Sequence, residues 1–120
     1  MSRKRIAVLT SGGDAAGMNA AIRAIVRTAL ANGWEPYGIR SGFSGLLDGD
    51  IYKLEWRDVS GIIQLGGTIL RSARSQEFTL PSAPQKAMEV LRNYEIDGLL
   101  VIGGKGLNAA RMPSPRPSFR

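Results

Sequence analysis

Apolar residues first occur as an unbroken run, Ile6-Ala7-Val8-Leu9, behind a charged start. A run that short, ended by glycines, predicts a strand buried on both faces. After Ser11-Gly12-Gly13-Asp14-Ala15-Ala16-Gly17 the period changes. Met18, Ile22, Ile25, Val26, Ala29 and Leu30 recur at helical spacing, with Arg23 and Arg27 on another face. Asn32-Gly33 predicts a left-handed cap. Residues 34–40, with Tyr37 and Ile39, predict a second strand. Strand, glycine turn, helix and strand make a βαβ unit, hence a parallel sheet.

Further along, Ser41-Gly42-Phe43-Ser44-Gly45 reads as a loop and residues 51–56 as a short strand. Val59, Ile62, Ile63 and Leu65 predict a short helix ending at Gly66-Gly67, and residues 68–74 read as strand or loop. Ala87, Val90 and Leu91 restore the helical period, with Ser82 as a candidate cap and Pro84 near the first turn. Residues 96–102 predict another strand, followed by a second glycine turn, Gly103-Gly104-Lys105-Gly106. Asn108-Ala109-Ala110-Arg111 then reads as the first turn of a helix that cannot continue, because Pro113, Pro115 and Pro117 follow. The expected fold is a three-layer αβα arrangement with a mostly parallel sheet, its strands near 5–10, 35–40 and 97–102. Residues 1–111 form an incomplete nucleotide- or phosphate-binding α/β domain, and 112–120 form a disordered tail. So abrupt a change of composition inside a helix has the pattern of a frameshift or truncation.

Composition narrows the chemistry. The chain has 120 residues, 43% of them hydrophobic, enough for one domain with a real core. It contains no cysteine and no histidine. Disulfides, thiolate zinc sites, cysteine nucleophiles and histidine bases are therefore excluded within these residues. No apolar run approaches the roughly 20 residues that span a bilayer. The basic start leads into too short an apolar run for a signal peptide, so a cytoplasmic protein is expected. The formal net charge is +6, but Arg111, Arg116 and Arg120 fall in the last ten residues, which carry no acid. With no block of like charges and no interleaved aromatics, phosphate binding accounts for the excess better than nucleic acid does.

A glycine-rich turn between a buried strand and a helix suits phosphate. Glycine lets the backbone approach an anion, and the helix start presents unpaired N–H groups. Gly12-Gly13 and Gly103-Gly104-Lys105-Gly106 both follow such strands, so both loops could face one phosphorylated ligand at the carboxyl ends of the strands. Taken singly, each glycine pair has a second reading as turn geometry alone, since neither loop matches GxGxxG or GxxxxGK[ST]. Arg71 and Arg74 lie between the loops. Each is either a phosphate clamp or a solvated surface arginine.

Three strings together resolve the choice. Thr10-Ser11-Gly12-Gly13-Asp14-Ala15-Ala16-Gly17-Met18-Asn19-Ala20-Ala21-Ile22-Arg23 resembles the TSGGDAPGMNAAIR opening of the phosphofructokinase family, with Ala16 where proline is usual. Gly66-Gly67-Thr68-Ile69-Leu70-Arg71-Ser72-Ala73-Arg74 is similar to the family's GGTxLxSxR, and Val101-Ile102-Gly103-Gly104-Lys105-Gly106 resembles its IGGDGS loop. The resemblance covers roughly residues 4–111. It implies the N-terminal, Rossmann-like half of a 6-phosphofructokinase, transferring a phosphoryl group from ATP, with Mg²⁺, to the 1-hydroxyl of fructose 6-phosphate in glycolysis. It also implies a homo-oligomer, dimer or tetramer. Residue by residue, it implies that Gly13 lies beside the transferred phosphoryl group and Phe43 on the nucleotide side. Arg74, with Ser75 next to it, clamps the nucleotide phosphates, and Gly104 and Gly106 shape the second phosphate loop. Arg23 and Arg27 match arginines of the family's nucleotide-effector site, where Trp56 replaces a further arginine.

The departures are equally specific. Lys105 stands where the family's metal-organising aspartate belongs, and Leu107 where its loop has a hydroxyl residue. The TIDND segment that carries the family's base has no counterpart in these residues, so no catalytic residue is assigned and no metal ligand. Gly106 favours ATP over pyrophosphate as donor within the family. A NAD-kinase-like fold shares a GGDG loop but accounts for neither the first string nor the second. A catalytically dead nucleotide-binding or interaction module remains a rival.

Overall fold

A computed structural model describes residues 3–11, 17–62, 68–71, 83–103 and 109–112. The elements are β1 (Arg5–Ser11), α1 (Met18–Ala31), β2 (Glu35–Ile39), α2 (Gly42–Asp48), β3 (Ile51–Lys53), α3 (Trp56–Val59), α4 (Ala83–Asn93), β4 (Gly98–Gly103) and β5 (Ala109–Met112). They build one sheet of order β3-β2-β1-β4-β5. The three inner strands are parallel, and β3 and β5 close the edges antiparallel.

Strand alternation sorts the core into two layers. Ala7 and Leu9 of β1, Ile39 of β2 and Leu99 and Val101 of β4 point to one face. There they meet Leu46 and Leu47 of α2 and Ala87 and Leu91 of α4. Val8 points to the other face, with Leu100 and Ile102 beside it, and packs under Ile22 and Val26 of α1 and Val59 of α3. The result is the three-layer αβα arrangement around a mixed sheet, parallel at its centre and antiparallel at both edges. Residues 6–9 of β1 are all apolar and both of their faces are covered.

Helix α1 buries Met18, Ile22, Val26 and Ala29, as its period requires, and ends with Gly33 at φ 75°. At the amino end of the sheet Arg5 ties three elements together. Its N–H donates to the buried Asp97 carboxylate at 2.9 Å, its Nε to Glu35 at 2.9 Å and its Nη1 to the Tyr94 carbonyl at 3.0 Å. An arginine that reads as part of a charged start is thus a structural brace, at the end of the sheet opposite the glycine loops.

Two expected elements differ. Residues 41–45 read as a loop, yet Gly42–Asp48 is helical, because Leu46 and Leu47 bury themselves against the core. Seven residues are too few for a period to show, and packing rather than propensity holds the helix. Residues 108–111 read as a helical turn, yet 109–112 form β5, paired antiparallel with β4 from Leu99↔Met112 to Ile102↔Ala109. A single helical turn that prolines forbid to extend is unfavourable, whereas pairing satisfies the backbone groups of an otherwise open β4 edge. The helix expected at 59–65 is only partly described, as α3 followed by a turn. Ser82 and residues 113–120 lie outside the described residues.

Burial raises the phenol pKa of Tyr52 above its ordinary value, with Arg40 opposing, and burial likewise raises that of Tyr37. A raised native pKa contributes stability that is intact below the unfolded value near 10 and lost as pH climbs through the native one. Melting temperature is therefore expected to fall above about pH 10, and Tyr52→Phe should flatten that fall. Phenolate absorbance followed alongside circular dichroism checks it. An alkaline branch unchanged in Tyr52→Phe would dismiss the contribution.

Candidate functional site

The parallel register sets Ser11 opposite Gly103 at the carboxyl ends of β1 and β4. Neighbouring strands lie about 4.8 Å apart, so the two glycine loops leave the sheet side by side. From β1 the chain reaches β2 on one side and β4 on the other, which makes this crevice a topological switch point. The first loop returns to the described residues at Gly17 and opens α1. Among the described residues no side chain caps that helix, and its first turn holds no acid to offset its partial positive charge. The second loop behaves otherwise. It leads from β4 to β5, which pair antiparallel.

The third string arrives at the same place. Thr10, fully buried near the end of β1, donates its hydroxyl proton to the Arg71 carbonyl at 2.9 Å and lies 3.1 Å from the Thr68 hydroxyl. Asn19, in the first turn of α1, accepts from the Ile69 N–H at 2.8 Å. Ser41 N–H donates to the Leu70 carbonyl at 2.9 Å, and the Leu70 side chain is buried in the α1-side core. Residues 68–71 are thereby fastened to β1, α1 and the end of β2. Arg71 itself is exposed, with φ 61°. Its carbonyl, not its side chain, makes the bond that anchors the turn. Gly38 of β2 leaves room for this packing: a Cβ there would stand 2.7 Å from Leu70 Cδ2.

Phe43 lies on α2, partly buried against the core layer that includes α4. Arg23 and Arg27 are brought together with Trp56 away from the crevice, their guanidinium carbons 5.5 and 5.3 Å from its ring centre. Trp56 is 46% exposed, and among the described residues the buried Arg23 Nε has no hydrogen-bond partner. Gly13, Arg74, Ser75, Gly104, Lys105 and Gly106 lie outside the described residues. The sequence reading passed over Thr10 and Asn19. Their signal was a hydroxyl residue closing an otherwise apolar buried strand, and a buried amide among the apolar positions of a helix.

A doubly wound α/β domain with its loops gathered at one switch point defines a class of small-ligand binders. The family profile described as phosphofructokinase matches residues 5–111. The chain belongs to the phosphofructokinase family. It is 56% identical over 103 residues to the ATP-dependent 6-phosphofructokinase of Thermotoga neapolitana, which covers 86% of this chain and 32% of that protein. To the ATP-dependent 6-phosphofructokinase of Paenibacillus macquariensis it is 57% identical over 106 residues, covering 88% and 33%. The chain thus spans about a third of the length of these curated relatives. Among solved structures, phosphofructokinase from Saccharomyces cerevisiae superposes with a TM-score of 0.82 at 44% identity, over 87% of this chain and 14% of that one. A pyrophosphate-dependent phosphofructokinase from Marinobacter aquaeolei gives a TM-score of 0.73 at 24% identity, over 83% and 26%, a likeness of fold alone.

Proposed function

We propose that this chain is the N-terminal, donor-binding portion of an ATP-dependent 6-phosphofructokinase. In that role it holds the phosphates of ATP for transfer to the 1-hydroxyl of fructose 6-phosphate, in a cytoplasmic homo-oligomer. The observation that carries the reading is the convergence of all three strings on the carboxyl end of β1. The backbone at Gly13 meets the transferred phosphoryl group, Arg74 with Ser75 clamps the nucleotide phosphates, Gly104 and Gly106 shape the second phosphate loop, and Phe43 lines the nucleotide side. Relatives named as ATP-dependent 6-phosphofructokinases stand at 54–60% identity. Together with Gly106 this favours ATP.

Mg²⁺ does not fit the residues present. Lys105 is a cation without a lone pair for a metal where the family has its aspartate. The chain's own contribution to phosphoryl transfer is positioning and charge: amides and Arg74 hold the phosphates in line, and Lys105 offsets part of their charge. Arg23 and Arg27 stand as the remnant of an effector site. Both guanidiniums lie over the Trp56 ring.

Replacing Arg74 by alanine is expected to weaken ATP binding by about 1.5–3 kcal/mol, the worth of a charge-assisted hydrogen bond. Calorimetric titration of ATP and of pyrophosphate into parent and Arg74→Ala checks it. Equal affinities would remove Arg74 from the site.

A further inference from the structure

We infer that Thr10 and Asn19 are positioning residues that set where the chain departs toward the phosphate clamp at Arg74. The inference rests on the donor-binding reading above. Thr10 has one hydroxyl proton, and the 2.9 Å bond to the Arg71 carbonyl uses it. The 3.1 Å contact between Thr10 and Thr68 must then be donated by Thr68. Thr68 Oγ1 in turn accepts the Leu70 N–H at 3.2 Å. The bonds therefore run one way, from Leu70 N–H to Thr68, from Thr68 to Thr10, and from Thr10 to the Arg71 carbonyl. Each hydroxyl both accepts and donates, so the bonds polarise one another, and one substitution breaks two links. Asn19 holds the same turn from the helix side through the Ile69 N–H.

Four residues are fixed in this way, and the last of them, Arg71, sits in a left-handed conformation that costs a non-glycine residue energy unless its surroundings impose it. Arg74 follows three residues later. The buried end of β1, the strand that leads into the first glycine loop, thus carries the fixed point from which the clamp is aimed. A clamp that loses its support keeps its charge but loses its direction.

The test uses the 120-residue chain, with ATP and inorganic pyrophosphate as probes and affinity read by titration calorimetry. Thr10→Val keeps the shape and removes both bonds, and should weaken binding at least about tenfold. Thr10→Ser keeps both bonds and should bind within about threefold of the parent. Asn19→Ala should fall in the same direction as Thr10→Val. Tyr94→Phe removes a hydrogen bond of the same kind, 3.0 Å to the Gly49 carbonyl, away from the turn, and should lower the melting temperature while leaving affinity unchanged. If Thr10→Val does not fold, Thr68→Val breaks the same chain from the other side and carries the same expectation. Parent-like affinity in the folded Thr10→Val or Thr68→Val variant, or failure of Thr10→Ser to restore it, overturns the positioning role and leaves the donor site standing. A parent chain that binds neither probe overturns the donor site, and the positioning role with it.

Discussion

The 120 residues alone are expected to form no fructose 1,6-bisphosphate from ATP or pyrophosphate. Joining them to the downstream two thirds of a relative should restore turnover, and more with Lys105→Asp than without. Two features of the sequence set the size of the effect. No TIDND segment is present to supply the base, and Lys105 occupies the metal-organising position. A positioned general base is worth roughly 10²–10⁴ in rate. Metal stabilisation of the phosphoryl oxygens is worth several kcal/mol, and every ~1.4 kcal/mol is another tenfold. The losses need not add, yet either is severe. Lys105→Asp in the 120-residue chain should rescue nothing, because the base is still missing. In the joined protein the same change should recover about tenfold or more, since a metal ligand replaces a cation that cannot serve as one. The assay is product formation over hours at high protein concentration. Clear turnover by the unaltered 120 residues would show that other side chains do the chemistry.

A second large effect is expected at Gly45. A Cβ built there overlaps the Arg40 carbonyl oxygen, a backbone atom that cannot swing aside as a side chain can. The Gly45 carbonyl also accepts the Asp50 N–H at 2.8 Å, and its N–H donates to Ser41 at 3.2 Å, so both ends of α2 resist a shift. Gly45→Ala should cost about 3 kcal/mol or more, at the upper end of overpacking. In a domain of this size that lowers the melting temperature by roughly 10–20 °C. Gly38→Ala should cost less, because the atom in the way is the movable end of Leu70. Thermal denaturation of the two variants side by side gives the order. A Gly45→Ala protein as stable as the parent would mean that α2 is not packed against residue 40 in this way.

Both predictions depend on features of different origin. The identity of residues 105 and 74 is chemistry that can be read from a string, because phosphate recognition requires particular donors at particular places in a motif. The Gly45 clash exists only because the end of β2 folds back under α2. A loop reading of residues 41–45 was reasonable from two glycines and two serines. Nothing local predicts that Leu46 and Leu47 would find a core made by Ala7, Leu9 and Leu91, residues distant in the chain.

By itself the sequence determined the three inner strands and that both faces of the sheet are covered. An apolar run of β1's kind must be covered on both sides, and alternation in a strand assigns Ala7 and Leu9 to one side and Val8 to the other. It also determined which family the chain resembles, since three ordered strings carry their own spacing. Tertiary structure alone decided the sense of the second glycine loop. Local signals at 108–111 favour a helical turn, but the unpaired edge of β4 offers backbone hydrogen bonds that a stunted helix cannot match, and β5 forms. It also decided what Thr10 does. A threonine at the end of a strand is unremarkable in a sequence. Its hydroxyl gains a role only where the fold brings Thr68 and the Arg71 carbonyl within hydrogen-bond distance, some sixty residues away in the chain.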